Sequence, residues 1–342
     1  MRLRTLGRSG LRISEICLGA MTFGTEGWGC DEATSLDLVN RFLEAGGNFV
    51  DTADVYADGR SEEICGKALE GRRKDFVLAT KCTIPVGRGA NDRGSSRKHV
   101  REACEASLRR LGTDYIDLYQ VHCEDLSTPL EETLVALDDL VRSGKVLYLG
   151  CSNYRAYRIA RAVTWCEARN LNRFVSLQPQ YNLLVRSIER EHFDACHELG
   201  VGIITWSPLA AGMLTGKITR DRRPADARLG QRELPIYRHY FTERAFSIVD
   251  VLVDCASTLG CTPAELALAW QLGKPEINAV IIGARNRDQL DQNLRATEVS
   301  PPPEIIAKLD EATALDPEYP VEFIHWVQKQ LDPRERKTKR QS

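Results

Sequence analysis

Residues 118–151 read LYQVHCEDLSTPLEETLVALDDLVRSGKVLYLGC, and this stretch decides the fold. A short β-rich run, Leu118–Val121, precedes a segment of helical period, Leu130–Val141, which stops at Ser143-Gly144 ahead of a second β-rich run, Leu147–Cys151. A strand, a helix and a strand in that order join parallel strands through a crossover. The pattern continues in both directions. Further runs lie at Glu15–Leu18, Asn48–Asp51, Phe76–Thr80, Val175–Gln178, Val201–Trp206 and Ala279–Ile282, which makes eight in all. Between them, Asp31–Ala45 carries Leu36, Val39, Phe42 and Leu43 on one stripe and ends at Gly46-Gly47. Ser96–Leu111 carries Val100, Cys104, Leu108 and Leu111 and closes at Gly112, and Ile188–Leu199 reads as another helix. An α/β fold is implied, and closure into a (β/α)₈ TIM barrel fits better than an open sheet. The strand count is eight, and no G-x-G-x-x-G follows any strand to mark a doubly wound nucleotide site.

Outside the repeating unit, RLRTLG and LRISEIC flank Arg8-Ser9-Gly10, so residues 1–14 are expected to form a β-hairpin ahead of the barrel. Two long interruptions, Cys82–Ser95 and Lys217–Tyr240, read as substrate and cofactor loops, since loops of that length in a compact fold carry function. Residues 301–342 read as a C-terminal tail or loop, and the whole chain, 1–342, as one barrel domain.

The 342 residues are 43% hydrophobic and 27% charged, enough for a sizeable core and unlike a disordered chain. Lys plus Arg number 46 against 48 Asp plus Glu, a net charge of −2, which gives nothing to track a nucleic-acid backbone. No apolar run approaches the length of about 18 residues needed to cross a membrane, and the first residues lack the apolar core of a secretory signal. A cytoplasmic protein without nucleic-acid or membrane partners is expected, monomeric or a homo-oligomer. The 11 cysteines are scattered, odd in number and free of C-x-x-C spacing, so they read as reduced, mostly structural thiols. Six histidines include no H-E-x-x-H or H-x-x-x-H pair, and no protein-built metal site is expected.

In such a barrel the chemistry sits on the loops that come after the strands. The strand ends supply Asp51 with Tyr56 shortly after, Lys81, His122, Cys151-Ser152-Asn153, Gln178, Trp206-Ser207-Pro208-Leu209 and Gly283-Ala284-Arg285. An Asp, a Tyr, a Lys and a His at one mouth suit proton transfer. A buried Lys needs a carboxylate beside it, and its charge favours phenolate, which lowers a nearby Tyr pKa from about 10. A Tyr so tuned can protonate a developing alkoxide near neutral pH.

The segments GGNFVDTADVY (46–56), FVLATK (76–81), RRLGTDYIDLYQVH (109–122), GKVLYLGCSN (144–153), QPQYNLL (178–184), WSPLAAGMLTGK (206–217) and IIGARNRDQLDQN (281–293) together resemble the aldo-keto reductases along nearly the whole chain. The resemblance implies a catalytic tetrad of Asp51, Tyr56, Lys81 and His122. Tyr56 would be the general acid for carbonyl reduction, Lys81 held by Asp51 would lower its pKa, and His122 would orient the carbonyl. Ser152, Asn153 and Gln178 match positions that hydrogen-bond the nicotinamide carboxamide, and Trp206 the aromatic that stacks on the ring. Ser207, Leu209, Gly212 and Lys217 would touch the pyrophosphate, with Gly283, Arg285, Gln289 and Asn293 at the adenosine end.

The chain departs from the family there: many members carry a Lys-Ser pair where it has Gly283-Ala284, and an Arg where it has Gln289. Those residues grip the 2′-phosphate of NADP, a task Arg285 can take over from the adjacent position. NADP(H) is the expected cofactor and NAD(H) the alternative. Phe23, Trp28 and Ile84 are expected to wall the substrate pocket, with Tyr319, Phe323 and Trp326 of the tail covering it. Apolar walls suit aromatic, polycyclic or deoxysugar-like carbonyls, while Arg88, Arg93 and Arg97 leave room for an anionic group. The expected activity is NAD(P)H-dependent reduction of an aldehyde or ketone to the alcohol, either as a dedicated sugar or secondary-metabolite ketoreductase or as a broad xenobiotic aldehyde reductase. The alternative is a cofactor-binding regulatory subunit with slow turnover, like the channel-associated members of the superfamily.

Overall fold

The first fourteen residues form the predicted hairpin, β1 (Leu3–Thr5) pairing antiparallel with β2 (Arg12–Ser14), Leu3 opposite Ser14. This is a computed structural model, and it describes residues 1–224, 229 and 235–331. Between the two strands, Gly7 turns with φ +52° and packs so closely that a Cβ there would lie 2.6 Å from the backbone of Val175 and of Gly202, a position only glycine fills. The hairpin thereby closes the N-terminal end of the barrel, and its Leu6 and Ile13 join Cys17, Phe49, Ala79, Leu118, Ile204 and Ala279 in one apolar cluster.

The eight apolar runs become the strands of a closed parallel barrel: β3 (Ile16–Gly19), β4 (Phe49–Asp51), β5 (Val77–Cys82), β6 (Ile116–Val121), β7 (Val146–Ser152), β8 (Phe174–Gln178), β9 (Gly202–Thr205) and β10 (Ile277–Ile282). Neighbours in sequence are neighbours in space, and β10 returns to pair with β3, Val280 opposite Ile16. A strand with helices outside and packed side chains inside is buried on both faces, which is why these runs read as continuous rather than alternating.

Helices α1 (Glu32–Glu44), α2 (Arg60–Leu69), α3 (Arg97–Leu111), α4 (Leu130–Arg142), α5 (Ala156–Glu167) and α6 (His192–Leu199) alternate with the strands. Two helices, α7 (Glu243–Leu259) and α8 (Pro263–Leu272), precede β10, and α9 (Arg287–Arg295) comes after it. Of the predicted stripe of α1, Val39 and Phe42 are buried and Leu36 and Leu43 half-buried, while Leu38, not in the predicted stripe, is buried beside them. Caps start the helices where the sequence offers them: Asp31 accepts from Thr34 N, Ser96 from His99 N, and Thr262 with Glu265 forms a reciprocal capping box.

Two expectations need correction. The predicted helix 188–199 is two pieces, a single 3₁₀ turn Ser187–Glu189 and then α6, because Glu191 takes φ −138° and interrupts the run. The tail is not a loop either: residues Pro303–Ala312 form α10, packed on α7, and Val321–Leu331 form α11. Tyr319, Phe323 and Trp326 are 82%, 55% and 58% exposed, so they are not folded down over a pocket as expected. Residues 332–342 of that tail lie outside the described residues, as do 225–228 and 230–234 of the expected cofactor-covering loop 217–240. Among the described residues no single helix is long and apolar enough to cross a membrane.

Candidate active site

The three charged or phenolic residues of the predicted tetrad meet at the C-terminal mouth of the barrel. Asp51 is the last residue of β4 and Lys81 lies one residue short of the end of β5, so both side chains enter from the strand ends, while Tyr56 sits on the short turn after β4. Lys81 is fully buried, and its Nζ donates to Asp51 Oδ2 at 2.5 Å, to Thr52 O at 2.9 Å and to Tyr56 Oη at 3.2 Å. Those three acceptors use the whole donor capacity of an ammonium group. Burial alone opposes the charged form, but Asp51 and Tyr56 outweigh it and hold the Lys81 ammonium above its ordinary value. His122 comes directly after β6 and sets its ring edge-on to Tyr56, centroids 5.8 Å apart at 81°. Burial, and then the nearby Lys81 charge, push His122 down to about 3, so its imidazole is neutral across the physiological range. Its Nδ1 is buried without a hydrogen-bond partner.

The residues named for the cofactor line the same rim and bind one another. Ser152 Oγ donates to Gln178 O at 2.7 Å, and Asn153, at φ +54°, donates through Nδ2 to His122 O at 3.0 Å and to Ser152 Oγ at 2.9 Å. The indole N–H of Trp206 donates to Asn153 Oδ1 at 3.1 Å. Gln178 turns its Nε2 inward to Asp51 Oδ1 at 2.8 Å, and its Oε1 accepts no hydrogen bond among the described residues. After β9 the backbone runs through left-handed conformations at Ser207, Ala210, Ala211 and Gly212, with φ of 56°, 49°, 54° and 100°. A right-to-left-handed succession of this kind cups anions, and non-glycine residues keep such angles only where their surroundings enforce them. Ser207 Oγ is buried, and beside Gly212 and Gly283 there is open space where a Cβ would stand. These residues fit a nicotinamide dinucleotide: orphaned donors and acceptors, a strained anion-cupping loop and two bare glycines succeed one another around the rim. Leu209 is half-buried in the same loop and Lys217 exposed beyond it.

At the expected adenosine end, part of the predicted set is engaged otherwise. Gln289 Oε1 accepts from Arg285 N at 3.0 Å, and Asn293 Nδ2 donates to Gly283 O at 3.2 Å. These two side chains shape the loop that carries Arg285. Arg287 is tied to Asp37 at 2.7 Å. Among the residues expected to wall the pocket, Trp28 and Ile84 are partly exposed on the loops after β3 and β5. Phe23, expected to wall the same pocket, is wholly buried and belongs to the main apolar core.

Sequence reasoning passed over two buried polar residues here. Gln120 on β6 is fully buried inside the barrel and donates to Asp51 Oδ1 at 3.1 Å. A polar residue in an otherwise apolar strand was the available signal. Asp54 lies in the same turn segment as Tyr56, buried, and its carboxylate has no side-chain hydrogen-bond partner among the described residues. Burial, and then the Glu62 carboxylate, push it up to about 7.

Comparison with known proteins agrees with this geometry. The sequence model of the Aldo/keto reductase family matches residues 15–314. The chain is 38% identical over 320 residues to a probable voltage-gated potassium channel subunit beta of Oryza sativa subsp. japonica, covering 91% of this chain and 96% of that protein. It is 39% identical to the uncharacterized oxidoreductase YrpG of Bacillus subtilis (91% of this chain, 95% of that protein). To the versiconal hemiacetal acetate reductase of Aspergillus parasiticus it is 35% identical, with 91% and 96% covered.

Proposed function

Because the chain belongs to the aldo/keto reductase family, we propose that it reduces an aldehyde or ketone to the alcohol with NADP(H), Tyr56 acting as the general acid. The observation that carries the reading is the buried Lys81 ammonium, bonded at once to Asp51 and to Tyr56 Oη. When bound and reduced, the nicotinamide supplies the hydride. Everything else falls to the protein. A carbonyl oxygen seated between Tyr56 and His122 accepts the Tyr56 proton as negative charge develops on it, and Lys81 stabilises the phenolate left behind. In the opposite direction the phenolate takes the alcohol proton. His122 cannot be the acid at neutral pH, because it holds no spare proton there. Its role is to orient the carbonyl by hydrogen bonding.

Ser152, Asn153 and Gln178 would hold the carboxamide, Trp206 the ring face, and the strained loop from Ser207 to Gly212 the pyrophosphate. Arg285, placed by Gln289, would meet the 2′-phosphate. A second reading is supported by the rice relative, whose name makes it a channel subunit. In that reading the same site binds cofactor and turns over slowly.

Fluorescence titration of the purified protein with NADPH and NADH, then turnover against a panel of carbonyls, tests both readings. Tight NADPH binding with cofactor oxidation by several aldehydes or ketones supports the reductase. Tight binding without turnover favours the regulatory reading, and failure to bind either nucleotide overturns both.

A further inference from the structure

Among the inward-facing residues of the barrel strands, Gln120 has the least obvious reason to be polar. Its neighbours in the interior cluster are apolar: Leu118 on its own strand, Ala79 on β5 and Ile204 on β9. A primary amide placed there costs free energy unless it is bonded. Gln120 is bonded at both ends. Its Nε2 donates to Asp51 Oδ1 at 3.1 Å, and its Oε1 accepts from Gln178 Nε2 at 3.2 Å. The same Gln178 Nε2 donates to Asp51 Oδ1 at 2.8 Å, so the three side chains close a triangle. The neighbouring strand makes room for it. Gly150 pairs with Gln120 across β6 and β7, and a Cβ on Gly150 would stand 3.0 Å from Gln120 Cγ and 2.5 Å from Ser176 Oγ.

We propose that Gln120 is a positioning residue whose side-chain amide braces the direct Asp51–Gln178 bond from the third corner of the triangle, and so fixes the Asp51 carboxylate of the Asp51–Lys81–Tyr56 proton relay. The inference rests on the reading of Tyr56 as the proton donor, and it assigns a role to a residue that touches neither substrate nor cofactor. Asp51 has two faces: Oδ2 holds Lys81, and Oδ1 is held by the two amides. With one amide gone, less of the carboxylate charge is neutralised on the Oδ1 side, and the Lys81 ammonium is drawn more firmly to Oδ2. Lys81 then stabilises the Tyr56 phenolate less. The Gln178 amide keeps its bond to Asp51 Oδ1 but loses Gln120 Oε1, one of its two acceptors, so a group bound to Gln178 is held less rigidly.

The test uses the cofactor-free protein, so that it does not depend on turnover. Ultraviolet difference titration of the tyrosines, with the Tyr56→Phe protein as the subtraction, isolates the ionisation of Tyr56. In Gln120→Met, nearly isosteric but without polar atoms, the Tyr56 step moves up by about half to one pH unit, the size of one net hydrogen bond. NADPH binding, read by fluorescence, weakens roughly 3- to 10-fold, on the scale of the same single bond. Gln120→Asn keeps an amide one methylene too short to span the two partners, and gives the same upward step if the Met variant does not fold. A Tyr56 step that stays in place in either folded variant overturns the proposal and leaves Gln120 as barrel filling. Failure of the underlying reading is seen elsewhere, as normal turnover by Tyr56→Phe.

Discussion

At the N-terminal end of the barrel, Glu15 is buried and closed on every side: its carboxylate accepts from Arg2 N at 3.1 Å, from Arg2 Nε at 2.9 Å and from Arg4 Nη2 at 3.2 Å. At the opposite end, among the described residues, His122 Nδ1 is buried without a hydrogen-bond partner and the Asp54 carboxylate is buried without a side-chain partner. Backbone strain divides the same way. Of the eight described non-glycine residues with positive φ, only Asn170 lies on the hairpin side, and the other seven (Ala57, Asp58, Thr83, Asn153, Ser207, Ala210 and Ala211) come after strands at the mouth. Strain and unsatisfied polar groups each cost about 1–3 kcal/mol, and a fold keeps them only where something else is gained. One end of this barrel is built for stability and the other for binding, and substitutions at the two ends should therefore fail differently.

The largest effect belongs to the mouth. Tyr56→Phe removes one oxygen at the rim, with its 3.2 Å hydrogen bond from Lys81, and keeps the ring, so it should barely move the melting temperature. Turnover should fall by roughly 10²–10⁴, the usual worth of a positioned acid, with cofactor affinity nearly unchanged. Steady-state kinetics beside a nucleotide titration check this, and a near-normal kcat would remove Tyr56 from the mechanism. Next is Asp54, whose carboxyl is raised from 3.8 to about 7 by burial and by Glu62. A carboxyl raised on folding favours the native state fully at pH values below its unfolded pKa, and that contribution is lost as the pH rises through about 7. Asp54→Asn has no such loss, so its stability relative to the parent should grow from pH 4 to pH 8 by roughly 2–4 kcal/mol. Urea midpoints at the two pH values measure this. A difference that does not change with pH would show that Asp54 is not a strained carboxyl, and would weaken the contrast between the two ends.

That contrast also explains what could be read in advance. The eight strands were legible because each is buried on both faces and therefore unbroken in its apolar character, and the hairpin because Arg8-Ser9-Gly10 is turn chemistry between two strand-like runs. The meeting of Asp51, Lys81 and His122 at the mouth was legible because they stand at or just beyond the ends of apolar strands, whereas the roles proposed for them came with the family resemblance. What a sequence does not carry is the choice of partner. Gln289 and Asn293 are amides near a loop in either reading, and only the fold shows them bonded to Arg285 N and Gly283 O. Phe23 is an aromatic after a strand, whether it faces the pocket or the core. The aromatics of 319–326 suggest a cover, yet the fold leaves Tyr319, Phe323 and Trp326 exposed.

At the closed end, Glu15→Gln is expected to cost about 1–3 kcal/mol near neutral pH, because the Arg2 and Arg4 donors remain in place around a neutral amide. Burial opposes the Glu15 charge, but the Arg2 bonds outweigh it and hold the carboxyl below 4.5. A carboxyl lowered on folding stabilises the native state above its unfolded pKa and loses that contribution as pH falls through the lowered value. The cost of the substitution should therefore fade in acid, the reverse of Asp54, while kcat stays the same. A fall in kcat would mean that the hairpin end communicates with the mouth.

The smallest effect sharpens the mouth itself. Gln289 and Asn293 hold the loop after β10, and Arg285 is the residue whose backbone that loop fixes, so its guanidinium is the one to remove. A guanidinium grips a phosphate through paired N–H donors but has no such partner in a 2′-hydroxyl. Arg285→Ala should weaken NADPH roughly tenfold, about 1.4 kcal/mol, and NADH much less. Parallel fluorescence titrations with the two nucleotides read the ratio directly. Equal losses would show that Arg285 shapes the loop as Gln289 does, and that preference for NADP over NAD has to be set elsewhere on the rim.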